Sequence, residues 1–181
     1  MRTVVLRVAA LALLLLLALF ATLTVRTLTR LPDVTLYLIR SEATSFTLEP
    51  VYRRLRPQAS HAAGHPSEVT VRAAIEALAA GPDPDEQRRG LGSEVPAGTQ
   101  VRAVRLDDGL LTLDLSADFE TGGGTSSMLG RLYQVHHTAA RPAGVEAVRL
   151  LVEGEPLIAL GGEGLMVEQP WVAPEQGLPR W

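Results

Sequence analysis

The fold is decided by residues 100–116, whose sequence is QVRAVRLDDGLLTLDLS. The Asp107-Asp108-Gly109 step favours a tight hairpin, because aspartate and glycine tolerate the positive backbone angles of such turns. We predict two strands around it, Gln100–Leu106 and Leu110–Ser116. In the second strand, leucines alternate with polar residues, which predicts one buried face and one solvated face. The residues predicted to be buried are Leu111, Leu113 and Leu115.

A helix is predicted before the hairpin. Ser67 is its predicted N-cap and Glu68 lies in its first turn. Apolar residues then recur at helical spacing, at Val71, Ala74, Ile75 and Leu78. Glu68 and Arg72 are one turn apart and are expected to pair on the surface. Gly81-Pro82 ends the helix, because glycine permits a left-handed cap and proline cannot continue the helix.

A second helix is predicted after the hairpin, over Thr125–Ala140. One of its faces carries Leu129, Leu132, Tyr133 and His136. Between the first helix and the hairpin we expect a polar loop, from Asp83 to about Thr99.

Strands are also predicted at both ends of this region. Val34–Ile39 is aliphatic on both faces, as expected for a buried central strand. Residues 45–55 form a short extended piece that Pro50 confines to a sheet edge. Near the other end, Val148, Leu150 and Val152 alternate in a further strand, and a turn leads into Leu157–Leu160.

The order β-α-β-β-α-β predicts a small α+β sandwich in which two helices cover one face of a sheet. We divide the chain into residues 1–30, an N-terminal membrane anchor with basic flanks, and 31–168, the folded domain. Residues 169–181 are predicted to be a loose C-terminal tail. About 120 residues suffice for one modest core.

The N-terminal segment contains 18 uncharged residues, Val8–Val25. As a helix it would span about 27 Å, close to the hydrocarbon thickness of a bilayer. A cleaved signal peptide is the alternative, but it requires a shorter apolar core and an Ala-x-Ala site, and Phe20-Ala21-Thr22 does not supply that register. We therefore expect one retained transmembrane helix, with the domain on the extracytoplasmic side of the cell membrane.

Charge and composition limit the function classes. Four arginines flank the apolar run, so residues 31–181 hold 13 arginines against 20 acids, a net charge of −7. An acidic domain repels phosphate backbones, which argues against nucleic-acid binding. Cysteine is absent, which removes disulfides, thiolate metal sites, cysteine nucleophiles and N-terminal lipid attachment through cysteine.

Several segments, taken in order, resemble the GerMN domain, named after a spore germination protein. The segments are Val34–Leu38, Ala77–Pro82, Gly90–Thr99, Asp108–Ser116, Pro142–Val145 and Val152–Gly154. The resemblance covers roughly residues 34–168. It rests on turn-forming glycines and prolines and on core aliphatic residues, which maintain a fold rather than a reactive site.

The resemblance implies an extracytoplasmic, non-enzymatic assembly role, since the family is similar to the ring-building modules of secretion and sporulation machines. This chain departs from the germination lipoprotein in having one domain copy instead of a tandem pair, and no cysteine for lipidation.

The histidines are weak metal candidates. His61 and His65 have the spacing of two ligands on a helix, but they lie in an Ala/Gly/Pro segment and favour a solvated loop. His136 is adjacent to His137, and the two side chains point about 100° apart on a helix. We expect His136 in the core and His137 exposed.

Two further constellations favour structural roles. Gly122–Ser126 precedes a helix, where free N–H groups attract anions, yet no lysine follows, and a flexible loop with a Thr or Ser cap is expected. Asp114 and Asp118 resemble a catalytic carboxylate pair, but Asp114 lies on the exposed face of its strand. We predict no enzyme activity and no catalytic, cofactor-binding or metal-ligating residue.

The favoured hypothesis is an interaction module in cell-envelope or sporulation-like and germination-like assembly. Its contacts would be with other envelope proteins or with further copies of itself, through sheet edges or a helix surface. The alternative is a domain that binds or hydrolyses cell-wall material or a small ligand, with Gly122–Ser126 as the contact.

Overall fold

The computed structural model describes residues 33–42, 45–55, 65–142, 144–161 and 164–172. The chain divides into two compact units, Met1–Leu31 and Pro32–Trp181, and every described residue belongs to the second. The predicted anchor, residues 1–30, lies outside the described residues. Among the helices of the described part, none is long and apolar enough to span a membrane.

The described unit has a mixed α+β fold, as predicted. Its helices are α1 (Pro66–Ala80), α2 (Pro84–Arg88) and α3 (Thr125–Ala139), with a 3-10 turn at Ala117–Glu120. Its strands are β1 (Asp33–Ser41), β2 (Phe46–Arg54), β3 (Leu91–Gly92), β4 (Val101–Asp107), β5 (Leu110–Leu115), β6 (Ala147–Val152), β7 (Glu155–Pro156), β8 (Ala159–Leu160), β9 (Leu165–Met166) and β10 (Trp171–Val172).

The strands form two main sheets, which corrects the prediction of a single sheet. Sheet 1 has the order β2-β1-β3, and sheet 2 has the order β10-β6-β5-β4 with β7 also on β6. The predicted hairpin joins β4 to β5, and β6 lies parallel to β5, so α3 is the crossover between parallel strands. The prediction failed because β1 pairs with β2 and β3 and not with the hairpin.

The main core lies between α1, β1 and the inner face of sheet 2. Leu78 of α1 and Leu113 of β5 are both fully buried there, as predicted. A smaller cluster on the other face of β1 includes Tyr37 and Ile39 and packs against Leu129 and Tyr133 of α3. Both faces of β1 are therefore covered, which confirms its prediction as a central strand, and β2 lies at the edge as Pro50 indicates.

The N-terminus of α1 differs from the prediction. His65, not Ser67, is the N-cap: its Nδ1 accepts from the N–H of Ser67, while the Glu68 carboxylate accepts from the N–H of His65. Pro66 sets this boundary, because proline is favoured at the first helical position and its missing N–H needs no partner there. The predicted pair of Glu68 with Arg72 is replaced by separate bonds of each side chain to β4.

The predicted loop from Asp83 to about Thr99 contains α2 and β3. Asp83 caps α2 in a capping box with Glu86. Its carboxylate accepts from the backbone N–H groups of Glu86 and Asp85, and these bonds, the one from Glu86 most strongly, hold the pKa of Asp83 below its ordinary value. Glu86 also forms a buried ion pair with Arg53 of β2. The short helix was missed because five residues are too few for a clear apolar period.

The predicted tail is ordered where it is described. Gln169 and Trp171 both contact the body of the domain, and β10 pairs antiparallel with the start of β6. Residues 169–172 therefore pack on the domain, and a strand of two residues has too short a pattern to be predicted from sequence. Residues 173–181 lie outside the described residues.

Candidate interaction surface

Side chains of α1 cover the outer edge of sheet 2 at β4. Arg72 donates to the carbonyls of Val101 and Arg102, and the Glu68 carboxylate accepts from the N–H of Leu106 at 2.9 Å. An unpaired strand edge is normally where a further strand adds. These bonds occupy three of the groups that such a strand would use.

On the other side of sheet 2, the amide of Gln169 bonds to β6 in the gap between β10 and β7. It accepts from the N–H of Leu150 at 2.7 Å and donates to the carbonyls of Leu150 and Leu157 at 3.1 Å and 2.6 Å. Leu150 lies between the part of β6 that pairs with β10 and the part that pairs with β7. One side chain thus fills the gap between two short strands.

Sheet 1 shows the same arrangement at β1. Beyond the end of β3, the N–H of Tyr37 donates to Thr138 Oγ1 at 3.1 Å, and its carbonyl accepts from Gln134 Nε2 at 2.9 Å. Both partners belong to α3. Of the described long strands, β2 keeps an outer edge, and Pro50 removes one donor there.

The solvated face of sheet 2 presents a row of polar side chains. Arg105 of β4, Thr112 of β5 and Arg149 of β6 are register partners across three adjacent strands. Adjacent strands are about 4.8 Å apart, so the two arginine Cα atoms are separated by about 10 Å. Both arginines are exposed, and within the described part of the chain neither has an ion pair.

Asp114, the nearest acid on β5, is already occupied. Its carboxylate accepts from Arg102 Nε at 3.3 Å and from the N–H of Gly154 at 2.9 Å. Arg102 also pairs with Glu153 at 2.7 Å. Asp114 is therefore half-buried and bonded to its neighbours, which corrects its prediction as an exposed residue.

Beside this row lies a groove of about 420 Å³. Thr112, Arg149 and Leu151 form its sheet side, and the segment that follows β7 forms its other side. Ile158, a lining residue of that segment, is 66% exposed. Further lining residues are Pro156, Val167 and Gln169. The groove is apolar along most of its length, with one cationic side chain at its rim.

The two adjacent histidines form an aromatic cluster with the C-terminal strand. His136 stacks on Trp171 with ring centroids 4.7 Å apart, and His137 meets the same indole edge-on at 5.0 Å. His136 is buried as predicted, but His137 is buried as well, which is contrary to its predicted exposure. Trp171 covers both rings, and its position could not be foreseen from a segment predicted to be loose.

Burial lowers the pKa of both histidines, because it disfavours the charged imidazolium. The pKa of His136 falls to about 3, with a further contribution from His137, and the pKa of His137 falls to about 4, with a further contribution from Arg141. Neither Nε2 atom has a hydrogen-bond partner among the described residues. The cluster therefore lacks a neighbour that would hold a proton at neutral pH.

The glycine-rich segment before α3 is held by a buried arginine. Arg131 is 2% exposed and donates to the carbonyls of Thr121 and Gly122, at 3.1 Å and 3.0 Å, and to those of Phe119 and Glu94. Desolvation lowers its pKa, and the nearby Glu94 carboxylate opposes that shift. The segment is thus tied to the body of the domain.

The helix end itself also differs from expectation. Gly124 is the N-cap of α3 and gives no side-chain bond, so the predicted Thr or Ser cap is wrong. Ser127, in the first turn, donates its hydroxyl to the Glu94 carboxylate. The Glu94 carboxylate therefore lies at the helix end where the sequence suggested that an external anion could bind.

The other candidate residues are dispersed. Asp118 accepts from Ser116 Oγ at 3.3 Å and shares no partner with Asp114. His65 caps α1, and His61 lies outside the described residues. Among the described residues, no group of three or more His, Asp or Glu side chains is placed to hold a metal ion.

The features that sequence reasoning missed depend on contacts between distant residues. Gln169 and Leu150 are 19 positions apart, and Arg72 and Val101 are 29 apart. The sequence did contain one indication of such contacts. Arg131 lies next to the predicted apolar face of α3, and a buried guanidinium needs hydrogen-bond acceptors from elsewhere in the chain.

The fold is that of a GerMN domain. Residues 35–158 match the family model Germane, described as sporulation and spore germination. The chain therefore belongs to the Germane family, as its sequence resemblance indicated. No curated protein matches the chain.

Solved structures support the same fold. The tandem GerMN domains of the sporulation protein GerM from Bacillus subtilis are 22% identical, with a TM-score of 0.60 over 80% of this chain and 45% of that chain. The first of those domains alone is 19% identical, with a TM-score of 0.60 over 78% of this chain and 97% of that one. A Clostridium perfringens structure described as a lipoprotein is 17% identical, with a TM-score of 0.52 over 78% of this chain and 87% of that one. The match thus spans less than half of the tandem structure.

Proposed function

We propose that the protein is a membrane-anchored, extracytoplasmic GerMN-type interaction module that contacts other envelope proteins through the solvated face of sheet 2. It would serve cell-envelope assembly or a process similar to sporulation and germination. The observation that carries the proposal is the groove beside Arg149, on a sheet where side chains of the same chain bond to the outer edge of β4 and to the middle of β6.

The position of this surface favours a contact through side chains. Edge addition would require displacement of the bonds that Glu68, Arg72 and Gln169 make to β4 and β6. A buried donor or acceptor left without a partner costs about 1–3 kcal/mol. The solvated face needs no such rearrangement, and its exposed apolar side chains gain from burial.

The alternative of a cell-wall or small-ligand site at Gly122–Ser126 has less support. The carbonyls of Thr121 and Gly122 accept from Arg131, and the Ser127 hydroxyl is donated to Glu94. A ligand at this loop would compete with both interactions.

In-cell photo-crosslinking tests the contact. A photoreactive phenylalanine analogue replaces Ile158 in the groove, and a matched variant carries it at the exposed Gln87 of α2. We expect discrete crosslinked species from position 158 and none of the same mass from position 87. Identical species from both positions, or none from either, would refute a contact through this face.

Membrane anchoring and orientation have a separate test. Because the sequence contains no cysteine, a thiol reagent will label only a cysteine that is introduced. A Gln87→Cys variant should react with a membrane-impermeant maleimide in intact cells or spheroplasts, and the full-length mass beginning at Met1 should stay in the membrane fraction. Labelling only after lysis would place the domain inside, and a shortened soluble form would favour the cleaved signal peptide.

A further inference from the structure

We infer that the groove on sheet 2, together with the adjacent row of Arg105, Thr112 and Arg149, binds an acidic, partly apolar segment of a partner protein, with Arg105 and Arg149 receiving two carboxylates. This inference rests on the proposed function and specifies the chemistry of the partner. Its basis is a cationic pair without ion-pair partners among the described residues, on a domain whose residues 31–181 have a net charge of −7.

Neither arginine has an ion pair among the described residues, and the nearest acid on β5, Asp114, bonds elsewhere. Arg102 takes both Asp114 and Glu153 in ion pairs, and Asp114 also accepts from a backbone N–H. Asp107, two residues from Arg105 on the same face of β4, is exposed and has no ion pair with Arg105 among the described residues. Arginine binds carboxylates through two parallel N–H donors, so this pair is suited to acidic side chains.

The apolar part of the groove defines the rest of the ligand. Leu151 and Val167 are half-buried and Ile158 is exposed, so an apolar side chain placed among them would remove their surfaces from water. The arginines are about 10 Å apart, which equals three residues of extended chain. The apolar lining lies on and beyond β6, on the side of Arg149 away from Arg105. A segment with glutamates three residues apart, followed on the Arg149 side by apolar residues, satisfies both features.

Other polyanions fit less well. Two arginines are few for a nucleic acid or an anionic bilayer, whose affinity grows with each cation placed near the surface, and the surrounding acids would repel both. Side chains of the same chain already bond to the edge of β4 and to the middle of β6, and recognition through side chains of the open face favours a partner with carboxylate and apolar groups.

The test uses the full-length chain in nanodiscs of zwitterionic lipid and the peptide acetyl-Gly-Glu-Gly-Ser-Glu-Leu-Ile-Gly-amide, measured by calorimetry. The matched peptide carries glutamine at both glutamate positions. The double variant Arg105→Gln/Arg149→Gln should bind the acidic peptide about 5–10-fold more weakly, as expected for loss of two exposed ion pairs. The control variant Arg88→Gln, which removes an exposed arginine of α2, should bind within about twofold of the wild type.

Several results would overturn the inference. The double variant binding as tightly as wild type, or the glutamine peptide binding equally well, would show that the arginines do not read carboxylates. Displacement of the peptide by equimolar glycerol phosphate would indicate a general anion site. Self-association of the wild type that the double variant lacks, seen by ultracentrifugation, would make a second copy the occupant. In each case, crosslinks from position 158 would still support the proposed function, whereas their absence would refute that function separately.

Discussion

Mild acid should destabilise this domain through the two buried histidines. In the folded chain the pKa of His136 is about 3 and that of His137 about 4, whereas an unfolded histidine has a value near 6.5. Between these values the unfolded chain binds more protons than the folded chain, so the free energy of unfolding falls as the pH falls. The stabilising contribution is fully present at neutral pH and is lost as the pH drops below about 6.5.

The magnitude follows from the pKa differences. Lowering the pH from 7 to 5 reduces the free energy of unfolding by about 2 kcal/mol for each buried histidine, or about 4 kcal/mol for the pair. For a domain of this size that corresponds to a fall in Tm of about 10 °C. Glu49 contributes little in this window, because its hydrogen bond to Arg40 lowers its pKa below the ordinary value of 4.5.

Thermal unfolding followed by circular dichroism at pH 7 and pH 5 measures the effect. A His136→Phe variant keeps an aromatic ring against Trp171 but has no group that titrates at this position. Its free energy of unfolding should therefore fall by about 2 kcal/mol between pH 7 and pH 5, instead of about 4 kcal/mol. Leu113→Ala, a fully buried core change, should lower stability by about 2–5 kcal/mol at both pH values alike. An equal Tm for the wild type at both pH values, or full pH dependence in His136→Phe, would refute the reasoning.

Three more outcomes follow from the side chains that tie the domain together. Arg131→Met leaves four carbonyls without their donor and should reduce the free energy of unfolding by about 2–4 kcal/mol in urea titrations; an unchanged midpoint would mean that water replaces the guanidinium. Gly123→Ala should destabilise by more than about 1 kcal/mol, because the backbone there has φ +85° and a Cβ would lie 2.6 Å from Ser127 Oγ; a freely flexible loop would instead gain stability from the same change. Glu68→Leu/Arg72→Leu should uncover the β4 edge and cause concentration-dependent association in size-exclusion chromatography below the Tm, and a persistently monomeric variant would show that these side chains do not protect the edge.

Much of the fold could be predicted from the sequence, since its strongest features are local. The hairpin at Asp108-Gly109 has positive φ at both positions, 46° and 80°, as the dipeptide indicated. The apolar period of α1 and the alternation in β5 both gave the buried faces found in the structure. These patterns depend on residues within one turn or one strand, where sequence spacing determines position.

The division into two sheets was not predictable in the same way. Which strands pair with β1 depends on contacts between segments that local pattern does not link. The same limit applies to β3 and β10, which are two residues each and carry no period. His137 was misplaced because its burial depends on Trp171, 34 positions away.

The candidate surface illustrates why a total charge does not determine a local one. The acidic balance of residues 31–181 conceals a cationic row on sheet 2. Arg105 and Arg149 are 44 positions apart, and they become neighbours of Thr112 only through the hairpin on one side and the parallel crossover on the other. A shift of either register by one residue would turn one arginine toward the core and abolish the row. The packing of the leucines of β5 therefore fixes the positions of the polar groups on the opposite face, so the residues that maintain the fold also define the surface offered to a partner.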